Sequence, residues 1–166
     1  MFKKQELDDL IEAIEKGVYC DVQKHLDNGT NANSRHDKDV SHRKPLLSYA
    51  AMYGHTDIMK LLIDRGAKVD KTDLHGRTPL SWAAEHCHFG AVKLLVEHGA
   101  NVNAEDGEWT TPLAWLLYAE DVDVKQDLLQ DYLMSKDARQ ILDHTSWHRL
   151  KYSLKTRWNW IRSVRV

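Results

Sequence analysis

The 166-residue chain predicts an all-α solenoid, built from short paired helices stacked in register. Two observations carry that expectation. The first is a period of 33 residues: with residues 40–72 written above 73–105, twelve positions are identical, among them Ala50/Ala83, Ala51/Ala84, His55/His88, Leu61/Leu94, Leu62/Leu95, Gly66/Gly99, Ala67/Ala100 and Val69/Val102. The second is that one period reads as helix–turn–helix, with two short apolar stripes separated by turn residues. Such a unit cannot bury its apolar face alone, so stacked copies must share one continuous core.

Each element of the unit has a local reason. Thr78-Pro79 opens the first helix, because a threonine hydroxyl accepts from free N–H groups and a proline at the first position loses no hydrogen bond. "LSWAAEH" turns Leu80, Ala83 and Ala84 inward, and the alanines let neighbouring helices approach closely. A turn follows at Cys87-His88. "GAVKLLVEH" puts Val92, Leu95 and Val96 on one stripe. Gly99 supplies the left-handed residue that ends the helix. "PLLSYAAMYGHTDIMKLLIDRGAKVD" (45–70) is another copy, and "LIEAIEKGVYCDVQKHLDNGTNAN" (10–33) an N-terminal one, with Gly17 and Gly29 spaced as Gly54 and Gly66 are. The offset between these two copies is 37 residues, so "NSRHDKDVSHRKP" (33–45) holds four extra residues and predicts an enlarged, mobile finger. "TTPLAWLLYAEDVDVKQDLLQDYL" (110–133) begins as a fourth copy, then departs: Glu120-Asp121 replace Gly-His, and Tyr132 stands where the terminal glycine is due.

"DLHGRTPLSWAAEHCHFGAVKLLVEHGANVNAE" (73–105) resembles the ankyrin repeat, matching D-x-x-G-x-T-P-L-x-x-A-A-x-x-G-H-x-x-x-V-x-L-L-L-x-x-G-A-x-V-N almost throughout. The resemblance covers about residues 7–133, more weakly after 120, and implies an ankyrin-repeat solenoid of three clear repeats plus a degenerate fourth. Ser48, Ser81 and Ala114 depart from it, since the family has a histidine there that bonds the repeat's threonine. The resemblance implies a protein-binding scaffold without catalysis, working through the connector tips and the exposed side of each first helix. Carried over position by position, that surface holds His42, Lys44, Met52, Tyr53, Leu74, His75, Arg77, Glu85, His86, Glu108, Trp109 and Tyr118. Tyr53, Trp109 and Tyr118 are the expected aromatic anchors, because aromatic residues are enriched at binding hot spots. Tyr49, Trp82 and Trp115 recur at one repeat position and read as packing between repeats.

Bulk properties fit an intracellular protein, cytoplasmic or nuclear. Two cysteines are too few for a disulfide scaffold, the apolar run Leu113–Ala119 is too short to span a bilayer, and "MFKKQELDDLIEAI" has no apolar signal core. The charge is uneven. No acid follows Asp143, and Arg149, Lys151, Lys155, Arg157, Arg162 and Arg165 give the tail +6, which leaves −8 for the rest against a whole-chain charge of −2. The chain divides into a repeat domain (1–133) and a C-terminal helical extension (134–166). "DARQILDH" (137–144) reads as a short helix. In 145–166, Trp147, Leu150, Leu154, Trp158 and Ile161 form one helical stripe, with Lys151, Lys155 and Arg162 at its edge and Trp160 elsewhere. This extension either caps the open end of the solenoid, binds a membrane surface or a calmodulin-like groove, or contacts nucleic-acid phosphates. Lys151, Lys155, Trp160 and Arg162 are its contact residues in the last two readings.

His86-Cys87-His88 invites a chemical reading. Consecutive helical side chains diverge by about 100°, so one ion could not gather all three. A Cys–His nucleophile also needs an orienting third group that no motif supplies. The repeat assigns them separately: His86 to an exposed helix end, Cys87 to a turn that takes glycine at Gly17 and Gly54, and His88 to the turn histidine seen at His55. The expectation is a non-catalytic binder of a protein partner (adaptor, inhibitor or substrate receptor) that is monomeric alone and uses no cofactor or metal.

Overall fold

A computed structural model describes residues 2–35, 42–119 and 124–138. Residues 36–41 of the expected finger, and residues 139–166 with Lys151, Lys155, Trp160 and Arg162, lie outside the described residues. The described residues form eight helices and no strand: α1 (Phe2–Glu15), α2 (Tyr19–Asp27), α3 (Leu46–Met52), α4 (Thr56–Asp64), α5 (Pro79–Glu85), α6 (Phe89–Glu97), α7 (Pro112–Tyr118) and α8 (Val124–Met134). The chain is an all-α ankyrin-type solenoid. Helices α1, α3, α5 and α7 stack as an inner row, while α2, α4 and α6 stack as an outer one.

The repeat pattern decides which faces are buried. Leu80, Ala83 and Ala84 of α5 are fully buried, as are Ala50 and Ala51 of α3, so the two inner helices meet on small side chains. On the outer helices Val92 and Leu95 are buried as the stripe predicts, whereas Val96 is only half-buried. Ala91 and Leu94 are buried as well, because each outer helix packs on its own inner helix and on the neighbouring outer ones. Each fully buried leucine contributes about 2 kcal/mol.

Capping follows the sequence. Thr78 Oγ1 accepts from Ser81 N and lies 3.3 Å from Ser81 Oγ, so serine fills part of the role of the family's histidine. Thr111 caps α7 through Ala114 N. In the second repeat Pro45 stands at this position, α3 has no side-chain cap, and buried Ser48 Oγ lacks a hydrogen-bond partner among the described residues.

Adjacent repeats are also stitched by polar side chains at one register. Asn33 Nδ2 donates to Gly66 O and its Oδ1 accepts from Lys68 N. Asp70 accepts from Asn101 N, and Asn103 Nδ2 donates to Asp137 O. Beside Asn33, the Lys71 amine donates to Asn33 O at 2.6 Å, and burial, aided by the nearby Arg35 and Lys68 charges, holds it below its usual pKa.

The turn between paired helices couples each repeat to the next. His88 Nε2 lies 3.0 Å from Met52 O, and His55 Nε2 lies 3.2 Å from Glu15 O. Each imidazole therefore sits over the turn glycine of the preceding repeat. A Cβ on Gly54 would approach the His88 ring to 2.7 Å, and one on Gly17 the His55 ring to 2.8 Å. Cys87 occupies the same turn position with φ +53°, a left-handed conformation costly for a residue with a Cβ. The next repeat has Asp121 where a histidine would press on that position. The sequence therefore offers no imidazole of a following repeat at this position, and the left-handed φ disfavours a side chain there.

The fourth repeat departs from the period. Helix α8 continues through Tyr132 to Met134, and the left-handed residue that closes it is Asp137, with φ +60°, where Ala138 N donates to Leu133 O. The terminal position is thus displaced by five residues from the one predicted at Tyr132. Asp137 belongs to this helix end, so the helix expected over 137–144 does not begin there. Tyr132 instead packs edge-on against Phe89 of α6, and its phenol is pushed above the usual pKa by burial and then by Glu97.

Two substitutions test the turn. Gly54→Ala should destabilise the chain by about 2 kcal/mol in chemical denaturation, with part of the loss recovered in a His88→Ala background, because both φ and the imidazole oppose the methyl group. Cys87→Gly should stabilise by about 1 kcal/mol, since it relieves the left-handed φ of a residue with a Cβ.

Candidate partner-binding surface

The fingers between repeats are built by two aspartates one period apart. Asp73 Oδ1 accepts from His75 N and Arg77 N, and its Oδ2 accepts from the Trp82 indole at 3.2 Å. Asp106 Oδ1 accepts from Glu108 N and Thr110 N, and its Oδ2 accepts from the Trp115 indole at 2.8 Å. Each carboxylate thus folds its finger into an Asx turn and ties it to an inner helix. Neighbouring fingers are joined along the backbone, where Leu74 N donates to His42 O and Gly107 N to His75 O. A bridge between Arg35 and Pro45 closes the base of the finger that contains the insertion.

Under the fingers runs a ladder of rings and cations. The Arg77 guanidinium lies between two indoles, its Cζ 3.6 Å from the ring centroids of both Trp82 and Trp115. Lys44, one period earlier, sets its ammonium 4.5 Å from the Trp82 centroid and 5.5 Å from that of Tyr49. The order is Tyr49, Lys44, Trp82, Arg77, Trp115. Arg77 Nη2 also donates to Glu85. A desolvated cation on a ring face contributes up to about 2 kcal/mol, which helps offset the burial of Arg77, whose Nε has no hydrogen-bond partner among the described residues. Tyr49, Trp82 and Trp115 do pack between repeats, as their recurrence predicts, and cations fill the gaps.

The structure separates the twelve expected contact residues. Tyr53, Leu74 and Trp109 are the exposed hydrophobic ones, at 41%, 52% and 66%. His75, His86 and Glu108 are exposed too, and His42, Met52, Glu85 and Tyr118 are half-buried. Lys44 and Arg77 require correction. Both are only 6% exposed and lie between aromatic rings, so neither presents its charge to a partner. Glu85 is engaged with Arg77. His42 packs edge-on against His75 and Trp82, with centroids 4.9 and 5.5 Å away. His86 Nδ1 lies 3.0 Å from Trp82 O, Cys87 forms the left-handed turn, and His88 reaches back to Met52 O, so the three consecutive residues serve separate contacts. Neither Cys20 nor Cys87 is in a disulfide.

Sequence reasoning missed two participants, Asp106 and Trp115. The recurrence of Trp115 reads as packing between repeats, but the residue is only half-buried and meets Tyr118 edge-on, with centroids 5.7 Å apart. The available signal was the 33-residue spacing of Asp73 and Asp106, each nine residues before its tryptophan. Asp106→Ala removes three acceptor contacts at once. It should cost about 2 kcal/mol and speed hydrogen exchange at the Glu108 and Thr110 amides without affecting those of the outer helices.

No helix among the described residues is long and apolar enough to cross a membrane. Comparison with curated proteins gave no match. The family model described as ankyrin repeats (3 copies) matches residues 10–106, more than half of the chain. Proteins built from these repeats generally act as protein–protein interaction modules and not as enzymes. The repeat register, the helix pairs and this match agree, and the chain belongs to the ankyrin-repeat family.

Proposed function

We propose that this chain is a non-catalytic, intracellular adaptor, inhibitor or substrate receptor. It binds one protein partner across the finger tips and the exposed edge of the inner helices. The observation that carries this reading is Trp109. It occupies the finger-tip position held by Gly76 one repeat earlier, adopts a left-handed φ of +59°, and is 66% exposed. A large apolar side chain that is mostly exposed and held in a conformation suited to glycine gains little burial in the free fold, and burial against a partner would offset both costs. Tyr53 and Tyr118 extend the aromatic surface along the inner-helix ends, and His75, His86 and Glu108 add polar groups around it. His42, Met52, Leu74 and Glu85 contribute edges and stem packing. Positioning a partner or masking its surface requires only such contacts.

The test is affinity capture from a cell extract followed by mass spectrometry, repeated with Trp109→Ala and with Tyr53→Ala plus Tyr118→Ala. A specific partner should be retained by the wild-type chain and weakened at least about tenfold by Trp109→Ala, with the thermal midpoint unchanged or raised. Equal capture by all variants would contradict the assignment.

A further inference from the structure

The ladder of rings and cations stops one cation short. Its cations come from one repeat position, Lys44 and then Arg77, and the next residue at that position is Thr110. Thr110 is buried and short, and its hydroxyl is 3.4 Å from Glu108 O. Trp82 has a cation on either side and is buried. Trp115 has Arg77 at 3.6 Å, is half-buried, and among the described residues carries no second cation. The ring is already fixed for a ligand: its indole N–H donates to Asp106, and Tyr118 braces it edge-on. The finger alongside supplies Glu105, Asp106 and Glu108, and residues 1–143 carry a net −8. A fixed indole face beside carboxylates favours a cation over an apolar or acidic group.

We propose that the outer face of Trp115 receives an arginine or lysine side chain from a basic segment of the protein partner, which continues the ladder across the interface. This rests on the reading of the finger and inner-helix surface as a protein-binding face, and it names the chemistry of what binds there. Arginine fits best, because its planar guanidinium stacks on an indole as Arg77 does.

The test uses the full chain and a fluorescein-labelled hexa-arginine peptide, with hexa-citrulline as the neutral isostere. Hexa-arginine should bind at least about tenfold more tightly than hexa-citrulline. Two variants should each lower that affinity about tenfold while keeping the helical circular dichroism. Trp115→Leu removes the ring face, and Thr110→Arg supplies the missing cation from within the chain. Asp57→Asn, which makes the same one-unit charge change on α4, should stay within about twofold because a lone exposed charge adds little. If a variant fails to fold, the Trp115 indole N–H resonance of the wild-type protein decides: it should shift on adding hexa-arginine and not on adding hexa-citrulline. Equal binding of the two peptides, or wild-type affinity in folded Trp115→Leu, overturns the proposal. So does binding that appears only after alanine replaces Lys151, Lys155 and Arg162, since the chain's own basic segment would then be the occupant. Capture of a partner that depends on Trp109, without any hexa-arginine binding, would leave the general binding surface standing and overturn the basic chemistry alone.

Discussion

The structure depends on a cation held between two indoles. Arg77 reaches from the finger at one repeat boundary to lie against Trp82 of its own repeat and Trp115 of the next, and Lys44 does the same for Tyr49 and Trp82. A charge buried alone would be prohibitively costly. Here ring faces and the Glu85 carboxylate replace its hydration. The ladder lies where finger, inner helix and neighbouring repeat meet, so it sets their mutual positions. The aspartates complete the arrangement, since each fixes its finger and its tryptophan together.

A second constraint acts at the opposite end of each inner helix. The turn glycine and the next repeat's histidine are one unit: the imidazole can bond back to the preceding backbone only where no Cβ occupies its place. The two features vanish together. Cys87 replaces glycine at the boundary where Asp121 replaces histidine, and beyond it α8 no longer follows the period. Solenoid stability is a sum of neighbour interfaces, and the last interface is made differently from the others. Both devices change at the fourth repeat, where Trp115 is only half-buried and places an aromatic edge beside the acidic finger.

Much of this was legible in the sequence, for identifiable reasons. Leu80, Ala83, Ala84 and Leu95 were readable as core because helical period and repeat period agree there, and Gly54 and Cys87 were readable as one turn position by alignment alone. Lys44 and Arg77 were misread because a cation at a finger base looks exposed when only its own repeat is considered. The rings that bury them come partly from the neighbouring repeat. The clue was a fixed spacing, with Tyr49 and Trp82 each five residues after its cation. The end of α8 was misplaced because extrapolating the period assumes an unchanged turn, and Glu120-Asp121 had already broken it. The aromatic type of Trp109 was legible in the sequence, but its left-handed backbone required coordinates.

The most direct measurement is a double-mutant cycle on the ladder, with Arg77→Met, Trp115→Leu and the double variant compared by chemical denaturation. A cation shared between two indoles predicts a coupling of about 1 kcal/mol or more between the two positions. Additive losses, within about 0.5 kcal/mol, would mean that Arg77 and Trp115 stabilise the fold independently and would contradict the ladder as its organising contact.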